Sequence, residues 1–365
     1  MHLLFIGTYN EDILFGTGEV MHGLGQGIHA LLLDLATGGL TPATVTHDVR
    51  NPSFVTLSPD RRFLYAVNEL KEWDGQFGGG LSAFAVDGAT GALRFINSKP
   101  SRGTDPCHVA VHRDGQFVLV ANYSSGSVIV YRLLQDGGLG EETDFVQHHG
   151  SSVNDARQEG PHAHQVMFDG TGTWAFVPEL GVDRLMVYRF DAVYGKLLPA
   201  AEPWVATEPG AGPRHVALHP HAPYLYLINE LDCTVSTFLL DSATGGLKLL
   251  QSASTHPKGY TGLLSCAEIR VSADGRFVYG SNRDDNSIAV FSVDPASGWL
   301  TLIGDVDSGG QVPRNFALSP DGEWMIVANQ DSHNVLTYRM NKLTGTPQPT
   351  GVEVRVGSPV CVCFY

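Results

Sequence analysis

The chain repeats itself seven times, and that periodicity restricts its possible folds more than any other property. One marker is a turn in which an Asp is followed by Gly and then an apolar residue. It occurs as Asp34…Gly39-Leu40, Asp87…Gly91-Ala92-Leu93, Asp136-Gly137-Gly138-Leu139, Asp191…Gly195-Lys196-Leu197, Asp241…Gly246-Leu247 and Asp294…Gly298-Trp299-Leu300, with Asn341…Gly345 as a degenerate seventh copy. Gly supplies the positive φ of a tight turn, and Asp or Asn bonds back to the turn backbone. The second marker is a hairpin, clearest at Pro213-Arg214-His215-Val216-Ala217-Leu218 followed by Tyr224-Leu225-Tyr226-Leu227-Ile228-Asn229. Its copies are read as starting at Pro52, Pro106, His162, Pro213, Cys266, Pro313 and Pro359. Several turn through Asp-Gly, a strong hairpin signal between apolar runs.

Seven four-stranded units, each with strands A to D, predict an all-β, seven-bladed β-propeller formed by residues 1–365 as a single domain. The last unit is divided. Its A strand is expected at Val360–Tyr365 and its B strand at Leu3–Tyr9, so pairing of the two ends closes the ring and removes exposed sheet edges. A solenoid has no reason to split one repeat between its termini.

A and B are antiparallel neighbours, so the start of A and the end of B share one face of the disk. The long insertions, Tyr9–Gly27, Leu70–Gly80, His148–Gly160 and His256–Leu264, all fall on that face. Long loops on one side of a rigid scaffold are where sites are built. Read by columns, the third A-strand position holds Phe54, His108, His164, His215, Glu268, Asn315 and Cys361. The second holds Arg214 and Arg314, and the fifth position of blade 5 holds Arg270. The residue after the B-strand Asn is read as Glu69, Tyr123, Glu179, Glu230, Arg283 and Gln330. His108, Glu69 and Gln330 read as polar strand ends that satisfy backbone groups. His164, Arg214, Glu230 and Arg283, from four consecutive blades, read as a site, because half-buried Arg is costly unless paired or facing an anion.

A formal net charge of −15 argues against nucleic acid and anionic membranes as partners, so an anionic ligand needs a local concentration of Arg. The short apolar start Leu3-Leu4-Phe5-Ile6 lacks a basic flank and does not read as a signal peptide. Five Cys, an odd number, favour a reduced, cytoplasmic setting. Cys361-x-Cys363 lacks a second ligand pair and His162-x-His164 lacks a third ligand, so no metal is expected. There is no Gly-x-Ser-x-Gly elbow, no phosphate-cradling Gly-rich loop before a helix and no His-Glu-x-x-His. His, Glu and Arg without metal or other cofactor suit proton transfer on an anionic substrate, and hydrolysis of a strained cyclic ester needs little more.

The segments Gly160-Pro161-His162-Ala163-His164, Pro178-Glu179-Leu180, Gly212-Pro213-Arg214-His215, Asn229-Glu230-Leu231, Ala267-Glu268-Ile269-Arg270, Gly280-Ser281-Asn282-Arg283 and Pro313-Arg314-Asn315-Phe316 together resemble the seven-bladed propeller lactonases over essentially the whole chain. The resemblance implies a lactone hydrolase with His164, Arg214, Glu230 and Arg283 as catalytic residues. His164 is expected as general base or acid, Glu230 as its orienter or a second proton-transfer group, and the two Arg as substrate-polarising groups. His162, Glu179, His215, Glu268, Arg270, Arg314 and Asn315 are expected to bind substrate or support the site, with His162 as the competitor of His164. The leading substrate is 6-phospho-D-glucono-1,5-lactone. A non-phosphorylated sugar-acid lactone, a muconate-type cyclisation and a non-catalytic binding role are the alternatives. The partner is thus a small anionic lactone, and the chain is expected as a monomer or weak homodimer.

Overall fold

A computed structural model describes residues 1–365. Seven four-stranded antiparallel sheets follow one another as blades. Blade 4 is representative, with strands A to D at Pro213–Leu218, Tyr224–Asn229, Thr234–Leu240 and Leu247–Ser254. Blade 7 joins the chain ends as expected: Pro359–Phe364 pairs with His2–Thr8, which pairs with Ile28–Leu33 and then Leu40–Thr46. In that seam Leu4, Ile6 and Gly7 face Phe364, Val362 and Cys361. A Cβ on Gly7 would lie 2.6 Å from the Pro52 carbonyl, and the next residue donates its backbone N–H to that same oxygen at 3.1 Å. The seam therefore packs tightly on blade 1.

The core is divided into seven clusters, one between each pair of neighbouring blades. Strand alternation produces this division, because successive side chains leave a strand on opposite faces. Leu3 and Phe5 pack toward blade 1, while Leu4 and Ile6 pack toward blade 6. The Asp-Gly turns dock the blades at their outer edge. Gly245, at φ 73°, leaves room for the Trp174 ring of the preceding blade, 2.5 Å from where a Cβ would stand.

Blade 3 departs by one residue from the register read in the sequence. In three other blades the third A-strand side chain accepts the N–H of the fourth residue of the next blade. Asn315 Oδ1 takes Val362 N–H at 2.9 Å, Cys361 Sγ takes Val55 N–H at 3.5 Å, and His108 Nδ1 takes Val166 N–H at 3.5 Å. In blade 3 the residue making this bond is Gln165, whose Oε1 takes Val216 N–H at 2.6 Å. Its first A-strand position is Ala163, bridged to Glu179 as Pro213 is to Asn229. His164 is therefore a second-position residue, in the column of Arg214 and Arg314. Glu179 occupies the strand-end Asn position, and Leu180 takes the rim. The cause is local: blade 3 lacks Pro at its first position, and only Met167–Phe168 of its A strand forms a regular ladder after the 148–160 insertion.

Two insertions form small ribbons, Ile13–Leu14 with Val20–Met21 and Glu72–Trp73 with Gln76–Phe77. No helix is long and apolar enough to cross a membrane.

Candidate active site

A cavity of about 190 Å³ opens where the B strands end and the A strands begin. Rim residues Glu69, Tyr123, Glu230 and Arg283 line it, with His164, Cys107 and Arg314 from the second A-strand column. The ribbon at Ile13–Thr17 and Arg157 from the 148–160 insertion complete the wall. Gly16 lets the ribbon come close, because a Cβ there would stand 2.9 Å from Tyr123 Oη and 3.3 Å from Arg157 Nε. Beneath lies a smaller space of about 10 Å³, bordered by Glu69, His164, Arg214, His215, Arg314 and Asn315 among others. That is about the volume one water needs.

Glu230 anchors one end. Its Oε2 accepts Arg214 Nε–H at 2.9 Å, and its Oε1 accepts Arg157 Nη2–H at 2.6 Å and stands 3.1 Å from Arg283 Nη2. Arg214 also donates Nη1–H to the Ala267 carbonyl at 2.6 Å. Burial acts to raise the Glu230 pKa, but Arg283, Arg157 and Arg214 outweigh it and hold the carboxyl well below its ordinary range. Glu230 is thus a fixed anion that gathers three guanidinium groups. Asp284, next to Arg283, also lines the cavity, its pKa raised chiefly by burial. Arg157 and Arg283 keep side chains 17% and 14% exposed and their bonds run through Nη2, so Nη1 of each remains as a donor for an acceptor in the cavity.

His164 is 5% exposed. Its Nδ1 lies 3.7 Å from Cys107 Sγ, and its ring meets those of Tyr123 and His215 edge-on at 5.3 and 5.2 Å. Nε2 has no protein partner and is not sealed off, which leaves it open to the cavity. Burial, then Arg214 and His215, push its pKa well below the usual value, so the imidazole is neutral at neutral pH. Arg314 stacks over the rings of Tyr9 and Phe15 at 5.5 and 5.4 Å, and no carboxylate stands within ion-pair distance of it.

Glu69, set aside in the sequence as a polar strand end, has both carboxylate oxygens 3.0 Å from Tyr9 Oη and accepts Ser53 Oγ–H. Burial raises its pKa to about 7 against the lowering effect of Arg314.

The third column forms a belt inside the channel. His215 donates Nδ1–H to Glu268 Oε1 at 3.2 Å, and Asn315 donates to Glu268 Oε2. Burial favours the neutral acid, yet Arg270 and His215 hold Glu268 at about 2. The Glu268 carboxylate thereby fixes the tautomer of His215, whose pKa falls to about 4 mainly through burial.

Of the eleven residues singled out in the sequence, His164, Glu230, Arg283 and Arg314 line the main cavity, and Arg214, His215 and Asn315 the space below it. Glu268 supports the belt. Three lie elsewhere. Arg270, an inward fifth-position residue, reaches Glu268 Oε1 at 2.8 Å from the far side and lines a groove on the opposite face. His162 stacks on Tyr123 at 4.6 Å, with Nδ1 against the Tyr123 carbonyl at 3.1 Å and Nε2 3.2 Å from Glu159. Glu179 is buried against His148 Nδ1 at 3.2 Å and the His162 backbone N–H at 2.7 Å. The one-residue register error had carried these last two to the rim. Sequence reasoning missed Arg157, which sits in an aperiodic insertion. Its only signal was a cation in a long loop on the correct face.

Comparison with known proteins agrees with the propeller fold. Residues 3–364 match the family described as Lactonase, 7-bladed beta-propeller. The 6-phosphogluconolactonase of Bacillus subtilis is 33% identical, covering 99% of this chain and 97% of its own. That of Formosa agariphila is also 33% identical, covering 91% and 93%. The solved structure of the periplasmic gluconolactonase of Pseudomonas aeruginosa is 34% identical with a TM-score of 0.90, covering 100% and 98%.

Proposed function

Because the chain belongs to the seven-bladed β-propeller lactonase family, we propose that it hydrolyses 6-phospho-D-glucono-1,5-lactone to 6-phosphogluconate with its own His, Arg and Glu side chains. The observation that carries this reading is a neutral imidazole with a free Nε2 facing a cavity where arginines converge. His164 takes a proton from water, and the resulting hydroxide adds to the lactone carbonyl. With its pKa lowered by burial, Arg214 and His215, the imidazole is unprotonated at neutral pH and available to take the proton. Arg314, packed over the rings of Tyr9 and Phe15 and free of any ion-paired carboxylate, stabilises the oxyanion of the tetrahedral intermediate. Arg157 and Arg283, which line the cavity, hold the phosphate through guanidinium N–H groups that their bonds to Glu230 leave free. Glu230 positions both of them, together with Arg214, and takes no part in proton transfer, since its carboxyl stays ionised. Collapse of the intermediate breaks the bond between the carbonyl carbon and the ring oxygen, and the departing alkoxide takes up a proton.

The likeness to a gluconolactonase keeps a second reading in view, in which a substrate hydroxyl or carboxylate replaces the phosphate. Acid release from the purified protein distinguishes the two. Faster opening of 6-phosphogluconolactone than of gluconolactone or galactarolactone, each corrected for spontaneous hydrolysis, supports the phosphorylated substrate, and the reverse order supports the second reading. The five free thiols, four of them buried, fit a reducing compartment such as the cytoplasm, and a ring closed by its own termini fits a monomer.

A further inference from the structure

The cavity holds two rim carboxyls from equivalent positions, Glu69 after Asn68 in blade 1 and Glu230 after Asn229 in blade 4. Their surroundings differ. Three guanidinium groups contact Glu230. None contacts Glu69, whose partners are the hydroxyls of Tyr9 and Ser53. Glu69 borders both the main cavity and the one-water space beneath it, and His164 borders both as well.

We propose that Glu69 is the general acid of ring opening, giving its proton to the ring oxygen as the carbonyl carbon–oxygen bond breaks. This rests on the lactonase reading. The balance closes within the site. Water loses one proton to His164 and adds as hydroxide, and the ring oxygen gains one proton from Glu69. The proton on His164 then returns to the Glu69 carboxylate, for which the small space between them offers a water-sized path. The net reaction is lactone plus water to hydroxy acid.

The groups facing Glu69 come from several elements: Tyr9 from blade 7, Arg314 from blade 6, Asp105 and Cys107 from the entry to blade 2, and Ser53 from its own blade. Asp105 is engaged by Lys71, so it adds only part of a negative charge. Burial outweighs Arg314 and keeps the Glu69 carboxyl protonated up to about pH 7, whereas Glu230 can hold no proton there. Two carboxyls with widely separated proton affinities in one site mark one as the acid and the other as the fixed charge.

The acid form exists below the Glu69 pKa and is lost as pH rises through it. The wild-type kcat/KM, after subtraction of spontaneous hydrolysis, is therefore expected to fall above about pH 7. In Glu69→Gln, kcat should drop by about 10²–10³ with KM nearly unchanged, and the alkaline limb should vanish. Tyr9→Phe, which keeps the ring and removes a hydroxyl that favours the carboxylate, should move that limb to higher pH. A purely structural role for Glu69 would move no limb. An active wild type whose Glu69→Gln variant keeps its kcat and its alkaline limb overturns the assignment and leaves the lactonase reading standing. A wild type that opens none of the three lactones overturns both.

Discussion

Replacing Glu230 by Gln tests whether one buried carboxylate holds the arginine cluster together. The side chain is 4% exposed and meets Arg214 at 2.9 Å, Arg157 at 2.6 Å and Arg283 at 3.1 Å. Gln keeps the shape but removes the charge, and its NH₂ must face a guanidinium. Removing one partner of a buried ion pair costs about 3–5 kcal/mol. With an unfolding entropy of about 2.1 cal/mol/K per residue, 365 residues give roughly 0.8 kcal/mol/K, so Tm should fall by about 4–6 °C. Inorganic phosphate should restore part of the loss by supplying the missing negative charge. At about ten times its dissociation constant it contributes roughly 1.4 kcal/mol, or about 2 °C, more than it gives the wild type. The pH dependence has a definite sign. The folded-state pKa of Glu230 is depressed, so its contribution is complete above the ordinary carboxyl value of about 4.3 and is lost as pH falls toward the depressed one. Calorimetric scans should therefore show a constant gap between wild type and variant from about pH 8 to pH 5 that narrows in stronger acid. A variant melting within about 1 °C of wild type at pH 7, or a gap indifferent to acid and to phosphate, would show that Glu230 does not hold the arginine cluster together.

Arg314→Met should keep the packing against Tyr9 and Phe15 while lowering kcat by about 10²–10³ in steady-state assays, the effect of losing an oxyanion donor. Gly16→Val should push the ribbon away from Tyr123 and Arg157 and lower kcat/KM by roughly tenfold to a hundredfold, with Tm unchanged because the ribbon lies outside the blade cores.

The architecture was legible because a propeller writes the same instructions in each blade. Turn glycines, Asp-Gly hairpins and alternating apolar strands recur, and the split repeat at the termini can be read directly as ring closure. The rim was legible for the same reason, since strand ends fall at fixed positions in each unit. Irregularity within one unit was harder to read. Blade 3 begins with Ala163 instead of Pro, and its A strand forms a regular ladder only at Met167–Phe168, so counting from His162 shifted His164 and Glu179 by one position each. Arg157 belongs to an insertion with no counterpart in other blades, and no periodicity could place it. Arg270 was counted with the rim, although the fifth position of an A strand lies lower in the channel, toward the opposite face. Glu69 and Glu230 look alike in sequence. Their difference arises because Arg157, Arg214 and Arg283 converge on Glu230 from three separate elements while none reaches Glu69, a fact of three-dimensional neighbourhood that no local pattern encodes.

Proton abstraction falls to His164, the second-column imidazole that opens to the cavity, and not to His162, which stacks on Tyr123 and does not line the cavity. The most direct test is acid release from 6-phosphogluconolactone by wild type, His164→Ala and His162→Ala, each corrected for spontaneous opening. His164→Ala should lose about 10²–10⁴ in kcat while His162→Ala stays within about tenfold of wild type. Full activity in His164→Ala, or a larger loss in His162→Ala, would contradict that assignment.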